Sequence, residues 1–233
     1  MDKNKDIFGN AIKAFFEEND ETDIVVHSPD FEDDTIPVSY LFRDFDEMPP
    51  IEQKALELCK GKVLDVGCGA GSHSLYLQNT KDLKCMAIDT SPGAIDVAKK
   101  RGVKTAECKD FFELKNEEFD TILMLMNGSG IIGKLKNLKK FFEHCRSLLQ
   151  HNGQILLDSS DLIYLFDEEL PDQEEYYGEL KFQLTYKDSK SDMFDWLYID
   201  PALLKKEAGK NNFSCNIIQK GRHFDYLAIL NPL

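Results

Sequence analysis

No uninterrupted apolar run in this chain is longer than five residues, Ile122–Met126 among them. A membrane-spanning helix needs about 20, so a bilayer-spanning protein is not expected. The first twenty residues, MDKNKDIFGNAIKAFFEEND, lack a continuous apolar core and a small-residue cleavage site, and no secretory signal is predicted. The six cysteines (Cys59, Cys68, Cys85, Cys108, Cys145 and Cys215) contain no C-x-x-C pair, and no Cys/His cluster has zinc spacing. That argues against a metal site and for reduced, buried thiols in a cytoplasmic protein. No G-K-[ST] follows the glycines, which excludes a nucleoside-triphosphate P-loop. Repeats and low-complexity tracts are absent as well.

Positive charge is also scarce. The formal net charge is −14, and the excess sits in two places. Residues 1–50 carry 14 acids against 4 bases, and residues 165–200 carry 11 against 3. Nucleic-acid binding depends on Lys and Arg against phosphates, so that substrate class is disfavoured. Both acidic segments are expected to be solvated surface.

What is present is a 233-residue chain with 42% hydrophobic and 30% charged residues. That length suits one large domain, or one domain with a small cap. Residues 7–16 place Ile7, Phe8, Ala11, Ile12, Phe15 and Phe16 on one helical face. An acidic loop follows, then the aromatic-rich stretch 36–50, then a helix over 51–60 with Pro50 at its start. Strand-like runs recur from there: Lys62–Val66, Lys84–Ile88, Lys104–Glu107, Asp120–Met126 and Gln154–Asp158. Amphipathic helices separate them at Ser72–Gln78, Pro92–Arg101 and Leu135–Leu149. Strand–helix alternation with buried strands predicts a parallel sheet covered by helices on both faces. Beyond residue 160 the pattern changes. Glu179–Tyr186 and Phe194–Ile199 alternate as antiparallel strands do, Pro201–Lys210 reads as a short helix, and Phe213–Gln219 and His223–Leu230 read as closing strands.

The most informative stretch runs from Val63 to Leu75: a strand, then Gly67-Cys68-Gly69-Ala70-Gly71, then a helix. Residues without Cβ let a ligand approach the backbone. The turn lies at the carboxyl end of a strand, where open α/β sheets bind ligands. A dinucleotide fingerprint begun at Gly67 needs Gly or Ala at position 72, and Ser72 stands there, which weakens an oxidoreductase reading. Asp65, two residues before the first glycine, is expected to face the loop; it would repel a pyrophosphate but accept hydrogen bonds from an ammonium.

With these residues the sequence resembles the class I S-adenosylmethionine-dependent methyltransferases from about residue 50 to 160. Their first motif is matched by Asp65, Gly67, Gly69 and Gly71. The resemblance implies S-adenosylmethionine as co-substrate, with Cys68 in the binding loop and Asp89, closing the second strand, on the ribose hydroxyls beside Thr90. It implies Asp110 on the adenine amine with Phe111 beside the ring, and Met124 to Asn127, Met126 included, beside the methionine part of the donor. Phe111 as a core aromatic and Asp110 as a surface acid are the competing readings. The fold it implies is α/β: a doubly wound, Rossmann-like, seven-stranded and mostly parallel sheet with antiparallel C-terminal strands and an N-terminal helical lid. Residues 1–50 then form the lid and 51–233 the methyltransferase domain.

Methyl transfer uses an activated donor, so the protein mainly positions and desolvates, and no universal catalytic side chain is expected. His73, in the first turn after the glycine loop, and Asn127 are the candidate catalytic residues, each with a structural role as the alternative. Asn127-Gly128-Ser129-Gly130 departs from the N/D-P-P-Y motif of methyltransferases acting on bases or glutamine. Arg43, among acids in the lid with Tyr40, Leu41 and Phe42, is read either as a partner for the donor carboxylate or as a salt bridge to Asp44 or Asp46. The aromatics Tyr164, Phe166, Tyr176, Tyr177 and Trp196 are a second candidate wall, or ordinary core. The expected activity is methylation of a small molecule. A basic protein partner drawn by the acidic segments, and a non-catalytic module that binds the nucleoside, are the alternatives.

Overall fold

The computed structural model describes residues 5–166 and 176–233. Residues 1–4 of the expected lid and 167–175 of the second acidic segment lie outside the described residues. The chain divides into two compact units. The first comprises Met1–Met48, Lys62–Leu114 and Lys181–Phe194; the second comprises Pro49–Gly61, Lys115–Leu180 and Asp195–Leu233.

The first unit begins with α1 (Ile7–Glu18), which starts where Asp6 accepts the Gly9 N–H (3.0 Å) and stops at Asn19 in the left-handed region. Its stripe of Ile7, Ala11 and Ile12 is buried, as the period of its apolar residues predicts. The acidic loop expected next contains two short strands, β1 (Ile24–His27) and β2 (Asp34–Ile36). They pair antiparallel, with Val25 opposite Thr35. The three consecutive branched residues Ile24, Val25 and Val26 supply the strand propensity. Pairing to β8 (Glu179–Tyr186), with Val26 opposite Leu184, completes it. A partner more than 150 positions away leaves no local periodicity, so the sequence hid this sheet. Its strand order is β10-β8-β1-β2, with β9 (Ser189–Lys190) on β8 and β10 spanning Phe194–Leu197. Ile7, Ala11, Ile24, Val38, Leu184 and Tyr186 form the core beneath. Of the two segments expected as antiparallel strands, 179–186 pairs antiparallel with β1 in this second sheet, while 194–199 is strand only over Phe194–Leu197.

The strands that carry the glycine motif are β3 (Lys62–Val66), β4 (Lys84–Asp89) and β5 (Ala106–Cys108). All run parallel, with Val63 opposite Cys85 and Ala87 opposite Ala106. The third lies two residues later than expected at its start. Helices α3 (Ser72–Asn79) and α4 (Pro92–Arg101) are the crossovers. Ser91 caps α4 by accepting the Ala94 N–H (3.0 Å), with Pro92 at its first position.

The second unit holds α2 (Pro50–Leu58), β6 (Phe119–Met124), α5 (Leu138–Leu148), β7 (Leu149–Ser160), α6 (Pro201–Lys210), β11 (Phe213–Lys220) and β12 (Asp225–Pro232). β6 and β7 are parallel; β12 pairs antiparallel with both β7 and β11. The long strand β7 runs straight out of α5, so it is far longer than the five residues expected. The larger sheet has seven strands in the order β11-β12-β7-β6-β3-β4-β5, mostly parallel and closed by the expected C-terminal antiparallel pair. No helix among the described residues is long and apolar enough to cross a membrane.

Candidate functional site

At the carboxyl end of β3 the chain turns through Gly67, Gly69 and Gly71, all with positive φ (75°, 51° and 85°). The Gly67 and Cys68 N–H groups donate to the Ile88 carbonyl (2.9 and 3.1 Å), tying the turn to β4. Among the described residues a Cβ on Gly69 would meet nothing within 4 Å, so its side of the loop faces open space. The backbone conformation, not crowding, demands glycine there. Gly71 differs: a Cβ would lie 2.7 Å from Val103, so this glycine also admits the close packing of the loop on α4.

Asp89 closes β4 and spans the loop. One carboxylate oxygen accepts the Gly69 N–H (2.9 Å) and the other the Ser91 N–H (2.8 Å). Each oxygen keeps a second lone pair that could accept from a ligand hydroxyl. Burial pushes its carboxyl up, against the pull of those two N–H donors. Thr90 beside it is exposed.

Asp65 sits behind the loop, 2% exposed. Its Oδ2 accepts from the Ser74 hydroxyl of α3 (2.6 Å). Burial raises its carboxyl, opposed by His73 and Ser74. His73 is itself buried at the start of α3 and interacts with Asp65. The Cys68 side chain lies in the core with Ala87, Ile95, Ala98, Val103 and Ala106, and burial beside Asp65 and Asp89 drives its thiol well up. Its Sγ also donates to the Gly69 carbonyl of the turn (3.8 Å).

Asp110 is exposed and caps the short turn after β5, accepting the Phe112 N–H (2.7 Å). Phe111 is 3% exposed and meets Phe112 edge-on. The structure thus puts Phe111 in the interior and Asp110 at the surface beside it. Arg43 is buried with its guanidinium 3.2 Å above the Tyr40 ring. Two residues missed in the sequence also belong here. Asp6 accepts the Gly93 N–H (2.9 Å), and Arg101 donates to the Ala70 carbonyl (2.7 Å) within the glycine loop. Their only sequence signals were a helix-capping acid before α1 and a basic last turn in α4.

In the second unit, β6 runs into Met126 and Asn127, two successive non-glycine residues at positive φ (63° and 59°). Such strain costs of the order of 1–3 kcal/mol per residue and gathers at functional positions. It is held in place by neighbours. The Gly128 N–H donates to Asp158 (2.7 Å), and the Ser129 hydroxyl donates to the Leu197 carbonyl (2.8 Å). The Trp196 indole lies so close that a Cβ on Gly130 would be 1.9 Å from the ring. The Asn127 amide nitrogen reaches the Leu197 carbonyl (3.4 Å), while its amide oxygen is buried with no hydrogen-bond partner among the described residues. Met126 is 37% exposed. Tyr176 donates to Asp200 (2.9 Å) and Tyr177 to Asp161 (2.7 Å), and burial pushes both phenols up. No metal-holding group of His, Cys, Asp or Glu occurs among the described residues.

A family described as "Methyltransferase domain" matches residues 59–212. Search of the curated proteins finds no match. Among solved structures, a SAM-dependent methyltransferase from Bacteroides fragilis in complex with S-adenosyl-L-homocysteine is 46% identical, with TM-score 0.93, over 100% of this chain and 98% of that one. An S-adenosylmethionine-dependent methyltransferase from Clostridium acetobutylicum is 16% identical, with TM-score 0.57, over 82% and 92%. The PH0226 protein from Pyrococcus horikoshii is 21% identical, with TM-score 0.58, over 79% and 88%. These last two share the fold.

Proposed function

The chain belongs to the S-adenosylmethionine-dependent methyltransferases, and from that premise we propose that it methylates a small-molecule acceptor by in-line displacement. The bound donor supplies an electrophilic sulfonium methyl, which the attacking heteroatom takes as the carbon–sulfur bond breaks. The observation that carries the reading is the Asp89 carboxylate locked across a glycine turn whose Gly69 faces open space. That cradle fits a nucleoside, because a carboxylate already oriented by backbone N–H groups needs no reordering to accept vicinal hydroxyls.

In this reading Gly67, Cys68 and Gly69 offer backbone to the donor, and Asp89 with Thr90 holds the ribose. Asp65 contributes through its charge behind the loop, since Ser74 already engages its Oδ2. Asp110 takes the adenine amine from its exposed position, and Phe111 supports that turn from within. Arg43, preorganised on Tyr40, receives the donor carboxylate. Met126 stands beside the methionine part. Asn127 orients the acceptor or the donor amino group through an amide oxygen that lacks a hydrogen-bond partner among the described residues. His73 is a buried companion of Asp65, which favours its structural role over catalysis. Residues 1–50 act as the lid of a domain over 51–233.

The small-molecule acceptor is supported by the absence of prolines and an aromatic ring after Asn127, and by the acidity that disfavours nucleic acid. Six free cysteines suit a reducing, cytoplasmic setting. Calorimetric titration with S-adenosylhomocysteine and with NAD tests the donor. Binding of the first alone is expected; binding of NAD alone would overturn the reading. Turnover of S-adenosylmethionine with small metabolites but not with basic peptides is the expected acceptor pattern.

A further inference from the structure

We propose that Asp6 and Arg101 are positioning residues for the donor: they fasten the N-terminal segment to opposite ends of α4 and thereby hold the glycine loop in its binding shape. The inference rests on the reading of that loop as the donor site.

Asp6 is 4% exposed and serves two helices at once. One carboxylate oxygen accepts the Gly9 N–H of α1 (3.0 Å), and the other accepts the Gly93 N–H in the first turn of α4 (2.9 Å). Helix N-termini carry unsatisfied N–H groups and favour negative charge, so a single buried carboxylate serves both, beside the Ser91 cap on α4. The junction has no slack, since a Cβ on Gly93 would lie 2.6 Å from the Gly9 backbone. Two residues before Gly93, Ser91 donates its N–H to Asp89 (2.8 Å), and Asp89 accepts from Gly69. Displacement of α1 is therefore transmitted through the start of α4 to the carboxylate that spans the loop.

Arg101 acts at the other end of the same helix. Its guanidinium donates to the Ala70 carbonyl (2.7 Å), the Ser72 hydroxyl (3.1 Å) and the Phe42 carbonyl (3.4 Å), and it lies 4.9 Å over the Phe42 ring. Ala70 is in the glycine loop and Phe42 is in the N-terminal segment. The Ser72 hydroxyl donates onward to the Leu41 carbonyl (3.2 Å). A planar fork of five donors can hold three acceptors in fixed directions, which an ammonium point charge cannot. Between the two fastenings, Ile12, Ala70, Ala94 and Val97 form one buried cluster against Phe8, Leu41 and Phe42. The loop is thus braced by side chains from both flanks, although nothing in its own motif names them.

The test is calorimetric titration of S-adenosylhomocysteine into the full chain and its variants, well below each variant's Tm. Arg101→Gln and Asp6→Asn are expected to weaken binding about tenfold each, the scale of a lost charged hydrogen bond, and Arg101→Lys by less. Free guanidinium at millimolar concentration is expected to restore affinity to Arg101→Ala, a recovery that general loss of fold would not show. Wild-type binding with unchanged affinity in Arg101→Gln and Asp6→Asn overturns the proposal and leaves the donor site standing. Weakened binding that guanidinium fails to recover in Arg101→Ala also overturns it. Should Arg101→Gln not fold, Arg101→Lys with wild-type affinity would count against it equally. A wild-type chain that binds no S-adenosylhomocysteine removes the donor reading itself, and this inference with it.

Discussion

The glycine loop after β3 and the turn after β6 meet the same geometric demand by opposite means. In the first, every residue at positive φ is a glycine, so the conformation costs little and the motif can be read directly. In the second, positive φ falls on Met126 and Asn127, and the strain is borne by contacts from Asp158, Trp196 and Leu197, roughly 30 to 70 positions away. The first loop is shaped by its own residues; the second is shaped by residues remote in the chain. A loop of the first kind shows its backbone conformation in sequence, and one of the second kind conceals it.

The largest expected effects come from filling the close approaches. Gly71→Ala combines a left-handed φ with a 2.7 Å approach to Val103, and Gly130→Ala meets Trp196 at 1.9 Å. Each should cost about 3 kcal/mol, read from urea denaturation. The pair separates the two regions. Combining Gly130→Ala with Trp196→Ala should recover most of the Gly130 penalty, whereas Val103→Ala should recover only part of that at Gly71, where φ still objects. Equal recovery at both positions would dissolve the distinction.

Next in size, Asp89→Ala should weaken donor binding by about 1.4 kcal/mol or more, the scale of a charged hydrogen bond, in calorimetry. Unchanged affinity would remove Asp89 from the site. A smaller and more diagnostic effect is expected at Asn127. Asn127→Gly relieves the backbone and should leave stability within about 1 kcal/mol of wild type or raise it, while turnover falls with loss of the amide oxygen. Full turnover in that variant would reduce Asn127 to a turn residue.

The smallest effect is a pH dependence confined to the first region. Burial raises the folded-state pKa of Asp65 above its unfolded value, so the native state holds the proton more tightly than the unfolded one does. Its contribution to stability is then fully present below the ordinary carboxylate range and is lost as pH rises through the raised value. Asp65→Asn, which keeps an oxygen for the Ser74 hydroxyl, should therefore stabilise the chain at neutral pH, with the gain vanishing towards acid. Denaturant titrations at two pH values check the sign.

How far the sequence could be read follows the same division. Strand β3, helix α4 with its Ser91-Pro92 entry, and the order of Gly67, Gly69, Asp89 and Asp110 were all legible. They are local patterns of period, cap and turn. Strands β1 and β2 were hidden in what read as an acidic loop, because β8 completes them. The burial of Phe111, the Cys68 side chain turned into the core, and Ser74 on Asp65 were equally hidden.

By itself the chain's order of residues determined a βα alternation and a glycine turn with acids at the ends of the strands. Backbone stereochemistry and side-chain periodicity act over a few residues, and these patterns need nothing more. Only the tertiary structure decided which acids are engaged within the protein, how Asp6 and Arg101 brace α4 from its two ends, and which Asn127 atom has no hydrogen-bond partner among the described residues. Hydrogen bonds and close packing join residues by distance in space, and separation along the chain carries no record of it.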